Sequence, residues 1–123
     1  MILLDTNVFI YLANGVIARQ LVAKIDIAHA SITKIEALGF SSIPANELLL
    51  LNALFHESYN LDLTDSVVER AIALRQAKRM SLGDSIIAAT ALEHDLELWT
   101  ANVDDFRHIE NLKLVNPVIQ QNP

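Results

Sequence analysis

The chain has 123 residues, no cysteine, and 15 acidic residues against nine Lys and Arg, for a formal net charge of −6. The missing cysteine excludes a disulfide scaffold, an iron–sulfur cluster and a Cys-based zinc site, and the acidic balance argues against a broad basic footprint for nucleic acid. Apolar residues make up 52% of the chain, with only three Gly and three Pro, so one ordered domain over residues 1–123 with its own core is expected.

Ile2-Leu3-Leu4 is a short, non-alternating apolar run, the pattern of a buried parallel strand. Asn7 can cap a helix over Val8 to about Asn14, Gly15 breaks it, and a second helical segment is expected to about Lys24. Ile27 to Ala30 reads as a second strand. Thr33 and Glu36 have capping-box spacing, which places a helix start there and an end near Phe40. Pro44 suits the first turn of a helix reaching about Glu57. Leu48 to Leu51 cover every side of that helix, more than one core-facing stripe can hold, so a dimer or partner surface is weighed there against burial on both sides. Tyr59 to Leu61 is a third strand candidate. Thr64 or Asp65 caps a helix over Val67 to Arg79, and Ser81 with Asp84 repeats the capping-box spacing before a helix from Leu82 to His94. Leu98 to Thr100 and Leu112 to Val115 are the last strands, and Asn116-Pro117 is expected to end regular structure. The alternation predicts an α/β fold with helices on both faces of a central, mostly parallel sheet.

Met1 runs straight into Ile2-Leu3-Leu4-Asp5 with no basic segment, and no apolar stretch reaches the ~18 residues of a membrane span, so a cytoplasmic protein without membrane contact is expected.

Four acids are out of place beside apolar runs: Asp5, Glu36, Asp84, and Asp105 or its neighbour Asp104. In an open parallel sheet, sites form beyond the carboxyl ends of the strands. Asp5 ends the first strand, Glu36 follows the second, Asp84 opens a helix, and Asp104-Asp105 follow the fourth strand, so all four can reach one edge. Singly, Glu36, Asp84 and Asp105 could each be helix-start acids, Asp105 through its spacing from Asn102. Together at neutral pH they would demand a counterion, and oxygen donors suit magnesium or manganese. His29, His56, His94 and His108 show no ligand spacing and read as structural or surface residues. Arg75, Lys78 and Arg79 precede Asp84 and could line a route for phosphates, or simply end a helix with favourable charge. No glycine-rich phosphate loop supports a receiver or nucleotide-binding domain.

Four stretches together resemble the motifs of the PIN-domain ribonucleases, in particular the VapC toxins: Leu3-Leu4-Asp5-Thr6-Asn7-Val8-Phe9-Ile10-Tyr11, Ser31-Ile32-Thr33-Lys34-Ile35-Glu36-Ala37-Leu38-Gly39, Gly83-Asp84-Ser85-Ile86-Ile87-Ala88-Ala89-Thr90-Ala91 and Leu98-Trp99-Thr100-Ala101-Asn102-Val103-Asp104-Asp105-Phe106. The resemblance implies a three-layer α/β/α domain and a metal-dependent endoribonuclease that cuts single-stranded RNA, often a tRNA or a ribosomal RNA loop, leaving 5′-phosphate and 3′-hydroxyl ends. Asp5, Glu36, Asp84 and Asp105 would hold Mg2+ or Mn2+, with Asp105 preferred to Asp104 because the family's fourth acid directly precedes the Phe, here Phe106. Thr6, Asn7, Thr100 and Asn102 would position carboxylates or water. The resemblance further implies a VapB-type antitoxin lying across the groove, a homodimer, and operator DNA bound only through the antitoxin. Two rivals stay open: a nuclease of this fold acting on structured DNA or RNA, and a non-catalytic partner-binding module.

Overall fold

A computed structural model describes residues 1–120, and the last three residues of the expected domain lie outside the described part. The elements in chain order are β1 Ile2–Leu4, α1 Thr6–Asn14, a 3-10 turn Arg19–Val22, β2 Ile27–Ala30, α2 Ser31–Leu38, α3 Ala45–Glu57, β3 Tyr59–Leu61, α4 Asp65–Ala77, α5 Leu82–His94, β4 Leu98–Trp99, a 3-10 turn Val103–Asp105, β5 Leu114–Val115 and α6 Pro117–Gln120. The strands form one five-stranded sheet in the order β3-β2-β1-β4-β5, and every pairing is parallel. The chain builds outward from β1 to β3, then crosses back to place β4 on the other side of β1. The crevice between β1 and β4 is therefore the point where strand order reverses, the usual place for a site in such sheets.

Alternate residues of the central strands feed two separate cores. Ile2, Leu4, Ile27 and Trp99 join one with Val8, Phe9, Leu12, Leu54 and Phe55 of α1 and α3. Leu3, Ala28, Ala30 and Leu98 join the other with Val67 and Ala71 of α4 and Ile87, Ala88 and Ala91 of α5. A sheet covered on both faces explains why β1 has no polar alternation: both sides of it are interior. The result is the three-layer α/β/α arrangement. Phe9 stacks on Phe55 with centroids 4.4 Å apart, and His29 meets both rings edge-on. His29 is buried, its Nδ1 bonded to Ser58 Oγ at 2.7 Å. No helix among the described residues is long and apolar enough to cross a membrane.

Several element boundaries differ from the sequence reading. The segment after Gly15 forms only the short 3-10 turn, because Gly15 takes φ +85° and turns the chain out of the helix. Pro44 lies just ahead of α3 in an extended conformation rather than within its first turn. On α3, Leu51 is buried and Leu50 half-buried, while Leu48 and Leu49 face outward, so one core-facing side and one free side coexist. α4 ends at Ala77, two residues before Arg79, since Lys78 is already extended. Beyond Asn116 the chain forms the short helix α6 instead of ending regular structure, with the Asn116 side chain accepting from Val118 N at 3.0 Å.

Candidate functional site

The expected edge of the sheet holds the acids. Asp5 joins β1 to α1, and its backbone N–H donates to Trp99 O at 3.0 Å, which extends the β1–β4 pairing by one residue. Its extended backbone and side chain make it the N-cap of α1. Asn7, expected as that cap, lies instead inside the first turn, because helical geometry begins one residue earlier at Thr6. Asp5 as a residue is only 4% exposed. Its Oδ1 accepts from Thr6 N and its Oδ2 from the Thr100 hydroxyl, both at 2.7 Å. Thr100 is itself wholly buried and accepts from Asn102 N at 3.0 Å.

Glu36 reaches the same place by another route. β2 runs directly into α2 through Ala30, with no side-chain cap, so α2 begins at Ser31. Thr33 and Glu36 are thus both inside the helix, and the expected capping box does not form. The Thr6 hydroxyl donates to Glu36 Oε1 at 2.8 Å and lies 3.2 Å from the buried Thr33 hydroxyl. Gly83 sets the other limit on Glu36: a Cβ there would stand 2.7 Å from Glu36 Oε2. The Glu36 carboxylate is therefore packed against the first turn of α5. That turn carries Asp84, and Ser81 caps it as its spacing predicts, accepting from Asp84 N at 3.1 Å.

Asp5, Thr6, Asn7, Glu36, Asp84 and Asn102 line one pocket of about 360 Å³, together with Ile10 and Phe40. Thr100 stands behind Asp5 and outside this lining. No Lys, Arg or His contributes to it. Asp105 is not in this pocket. It lines an adjoining cleft of about 220 Å³ that shares Asp84 and also contains Asp104 and His108. Asn102 makes no side-chain cap at the 3-10 turn that holds these two acids. Asp104 is engaged by Arg107 at 3.0 Å in an exposed pair, whereas the charge of Asp105 is felt at Asp84. Among the described residues, no group of three or more His, Asp or Glu side chains closes into a metal-binding cage; the acids line a shared hollow without converging on one point.

The electrostatics follow from this packing. Burial pushes the Asp5 carboxyl up to about 6, with the charges of Asp84 and Glu36 acting in the same direction and the hydrogen bonds from Thr100 and Thr6 opposing them. Asp84 is also raised, first by burial and then by Asp105 and Glu36, against a hydrogen bond with Ser81. Neighbouring carboxylates in a half-dry pocket without a cation make the ionised form costly. The donor set is all oxygen, and it fits a hard divalent cation such as Mg2+ or Mn2+.

Sequence reasoning missed Thr33, Gly83, Ile10 and Phe40. Thr33 was hidden because its spacing to Glu36 imitates a cap. A glycine beside an acid in a helix first turn is a usable signal, since it marks a close approach of another group.

The raised Asp5 value makes a stability prediction for the protein in chelator. The folded state binds a proton near pH 6 where the unfolded chain releases it near 3.8, so stability is greatest below about pH 4 on this account and declines as pH rises to about 6. Asp5→Asn should remove most of that slope and stabilise the metal-free protein at pH 7 by on the order of 2–3 kcal/mol. Urea unfolding of both proteins at pH 4.5 and 7 checks this; equal slopes contradict it.

A model of the PIN domain matches residues 2–112. No curated protein matches the chain. Among solved structures, a toxin–antitoxin complex from Klebsiella pneumoniae is 28% identical with a TM-score of 0.75, covering 95% of this chain and 98% of that one. VapBC2 from Rickettsia felis, bound to a DNA fragment from its promoter, is 25% identical with a TM-score of 0.78 over 94% of this chain and 98% of that one. VapBC-1 from nontypeable Haemophilus influenzae shares the fold, at 23% identity and a TM-score of 0.73 over 95% of this chain and 98% of that one. The parallel sheet, the acids at its reversal point and a family match over nearly the whole length agree: the chain belongs to the PIN-domain family and is closely related to the VapC toxins of toxin–antitoxin systems.

Proposed function

We propose that this protein is a metal-dependent endoribonuclease toxin that cuts single-stranded RNA of the translation machinery, a tRNA or a ribosomal RNA loop. The observation that carries the reading is the oxygen-lined pocket of Asp5, Glu36 and Asp84, which lacks any cationic side chain. Asp5, Glu36 and Asp84 would hold Mg2+ or Mn2+, with Asp105 beside Asp84 completing the quartet. When bound, such an ion supplies Lewis-acid stabilisation of the charge that builds on a phosphodiester during hydrolysis. The choice of Asp105 over Asp104 is supported by the pairing of Asp104 with Arg107 and by the effect of Asp105 on Asp84.

The chain's own residues do the positioning. Thr6 N and Thr100 Oγ1 fix both oxygens of Asp5, and the Thr6 hydroxyl fixes Glu36, with Thr33 behind it. One threonine thus couples the carboxylate that caps α1 to the one on α2. Asn7 and Asn102 lie in the pocket lining with amides available to water or substrate. Such supporting groups typically matter 10–100-fold for metal affinity or activity.

The similar complexes from Klebsiella and Rickettsia place the related chains in toxin–antitoxin pairs. By analogy, the toxin here is held by a VapB-type antitoxin, acts as a homodimer, and meets operator DNA only through that antitoxin. The intact acid set favours this reading over a non-catalytic module.

Asp5→Asn and Asp84→Asn are expected to abolish magnesium-dependent cleavage of labelled single-stranded RNA, by at least about 100-fold, while remaining folded. Undiminished cleavage by folded Asp5→Asn protein sinks the proposal. Gly83→Ala is a subtler test. The new methyl group would stand 2.7 Å from Glu36 Oε2 and push that carboxylate off the Thr6 hydroxyl; a helix-propensity gain of up to about 1 kcal/mol against one lost hydrogen bond of about 1 kcal/mol should leave stability nearly unchanged, while the displaced carboxylate lowers magnesium affinity. Calorimetric titration with Mg2+ beside thermal melting separates the two effects, and unchanged affinity would show that Glu36 holds no metal.

A further inference from the structure

The basic residues ahead of Asp84 separate into two roles. Arg75 Nε donates to Met80 O at 3.3 Å, and the Met80 side chain is buried. Arg75 therefore ties α4 to the turn that leads into α5. Lys78 and Arg79 lie on that turn, beyond the end of the helix, and both are exposed. Among the described residues the ion pairs are Arg70–Glu93, Arg107–Asp104 and Lys113–Asp95, and none uses Lys78 or Arg79. Both line the cleft of about 220 Å³ that also contains Ser81, Asp84 and Asp105. Asp84 also lines the acid pocket, so the two hollows adjoin at one residue.

We infer that Lys78 and Arg79 hold the backbone phosphate next to the one cut at the acids, and so set how the RNA strand crosses the site. This rests on the ribonuclease reading. A chain of net charge −6 with an acidic pocket repels a polyanion. Substrate must gain its hold from cations beside the acids, and phosphate contacts fix register without reading sequence. Lys78 and Arg79 combine exposure, freedom from ion pairs among the described residues and a wall shared with Asp84. The opposing acids weigh less than their number suggests, since Asp104 is engaged by Arg107.

The test is the double variant Lys78→Gln/Arg79→Gln, assayed with a 5′-labelled single-stranded RNA oligonucleotide in magnesium. KM should rise ~10-fold or more with kcat within about threefold, and log(kcat/KM) should depend less steeply on log salt by about 0.7, for the one phosphate that the pair neutralises. Anisotropy of the same RNA with calcium in place of magnesium should show the same loss of slope. Lys78→Arg/Arg79→Lys should keep the wild-type KM. Lys24→Gln/Lys113→Gln, which makes the same charge change ahead of β2 and β5, should keep the wild-type slope. If these cations only favour the end of α4, the double variant melts lower with KM unchanged, and the inference fails. Wild-type cleavage with unaltered KM and salt slope in the double variant also overturns the inference and leaves the ribonuclease reading standing. A wild type that cuts no RNA removes both.

Discussion

A carboxylate taken out of water at the end of the central strand organises this molecule. Asp5 is almost wholly buried, and the groups around it are arranged to make that burial tolerable without making it comfortable. Two donors, Thr6 N and Thr100 Oγ1, meet its two oxygens. Neither brings a full positive charge, and the nearest charged groups are acids of the same sign. The cost of ionising Asp5 is therefore reduced and not removed, which is the condition a divalent cation relieves.

The sheet explains how these groups meet. β1 lies at the centre, with β2 and β4 on either side, and all three strands point their carboxyl ends to one edge. Asp5 ends β1, Thr100 follows β4, and α2 springs from the end of β2 without a loop. That direct strand-to-helix join fixes Thr33 and Glu36 over Thr6. α5 closes the fourth side, and its Gly83 leaves the space that the Glu36 carboxylate fills. Each contact couples elements far apart in the chain: Thr100 and Asp5 are separated by 95 positions. Loss of sheet register would thus dismantle the pocket before it touched any single local motif.

The layered fold and the positions of the strands were legible in the sequence, since short apolar runs separated by helical stretches have few other solutions. So was the placing of Asp5, Glu36 and Asp84 along one edge, where they line a shared pocket, because strand ends in a parallel sheet share an edge. Capping was read less well. Asp5 replaces Asn7 as the cap, and Thr33 with Glu36 imitates a cap while lying within a helix; side-chain spacing cannot distinguish the two when the helix start itself is set by the preceding strand. Asp105 was placed beside Asp84 in an adjoining cleft rather than in the pocket, a distinction that depends on the three-residue 3-10 turn after Asn102. For Arg75, Lys78 and Arg79 the residues alone left a phosphate route and a plain helix end side by side, and only the fold shows Arg75 engaged by Met80 O while its two neighbours are exposed beside the acids.

The central claim is that Asp5, Glu36 and Asp84 form a cation site in the pocket that their carboxylates line. Crystals of the wild-type protein grown with Mn2+ and measured for anomalous scattering at the manganese edge test it most directly. The account predicts an anomalous peak within bonding distance of carboxylate oxygens of Asp5 and Asp84, lost in Asp5→Asn crystals grown under the same conditions. A peak confined to Asp104 and His108, or none in the pocket at saturating manganese, would contradict it.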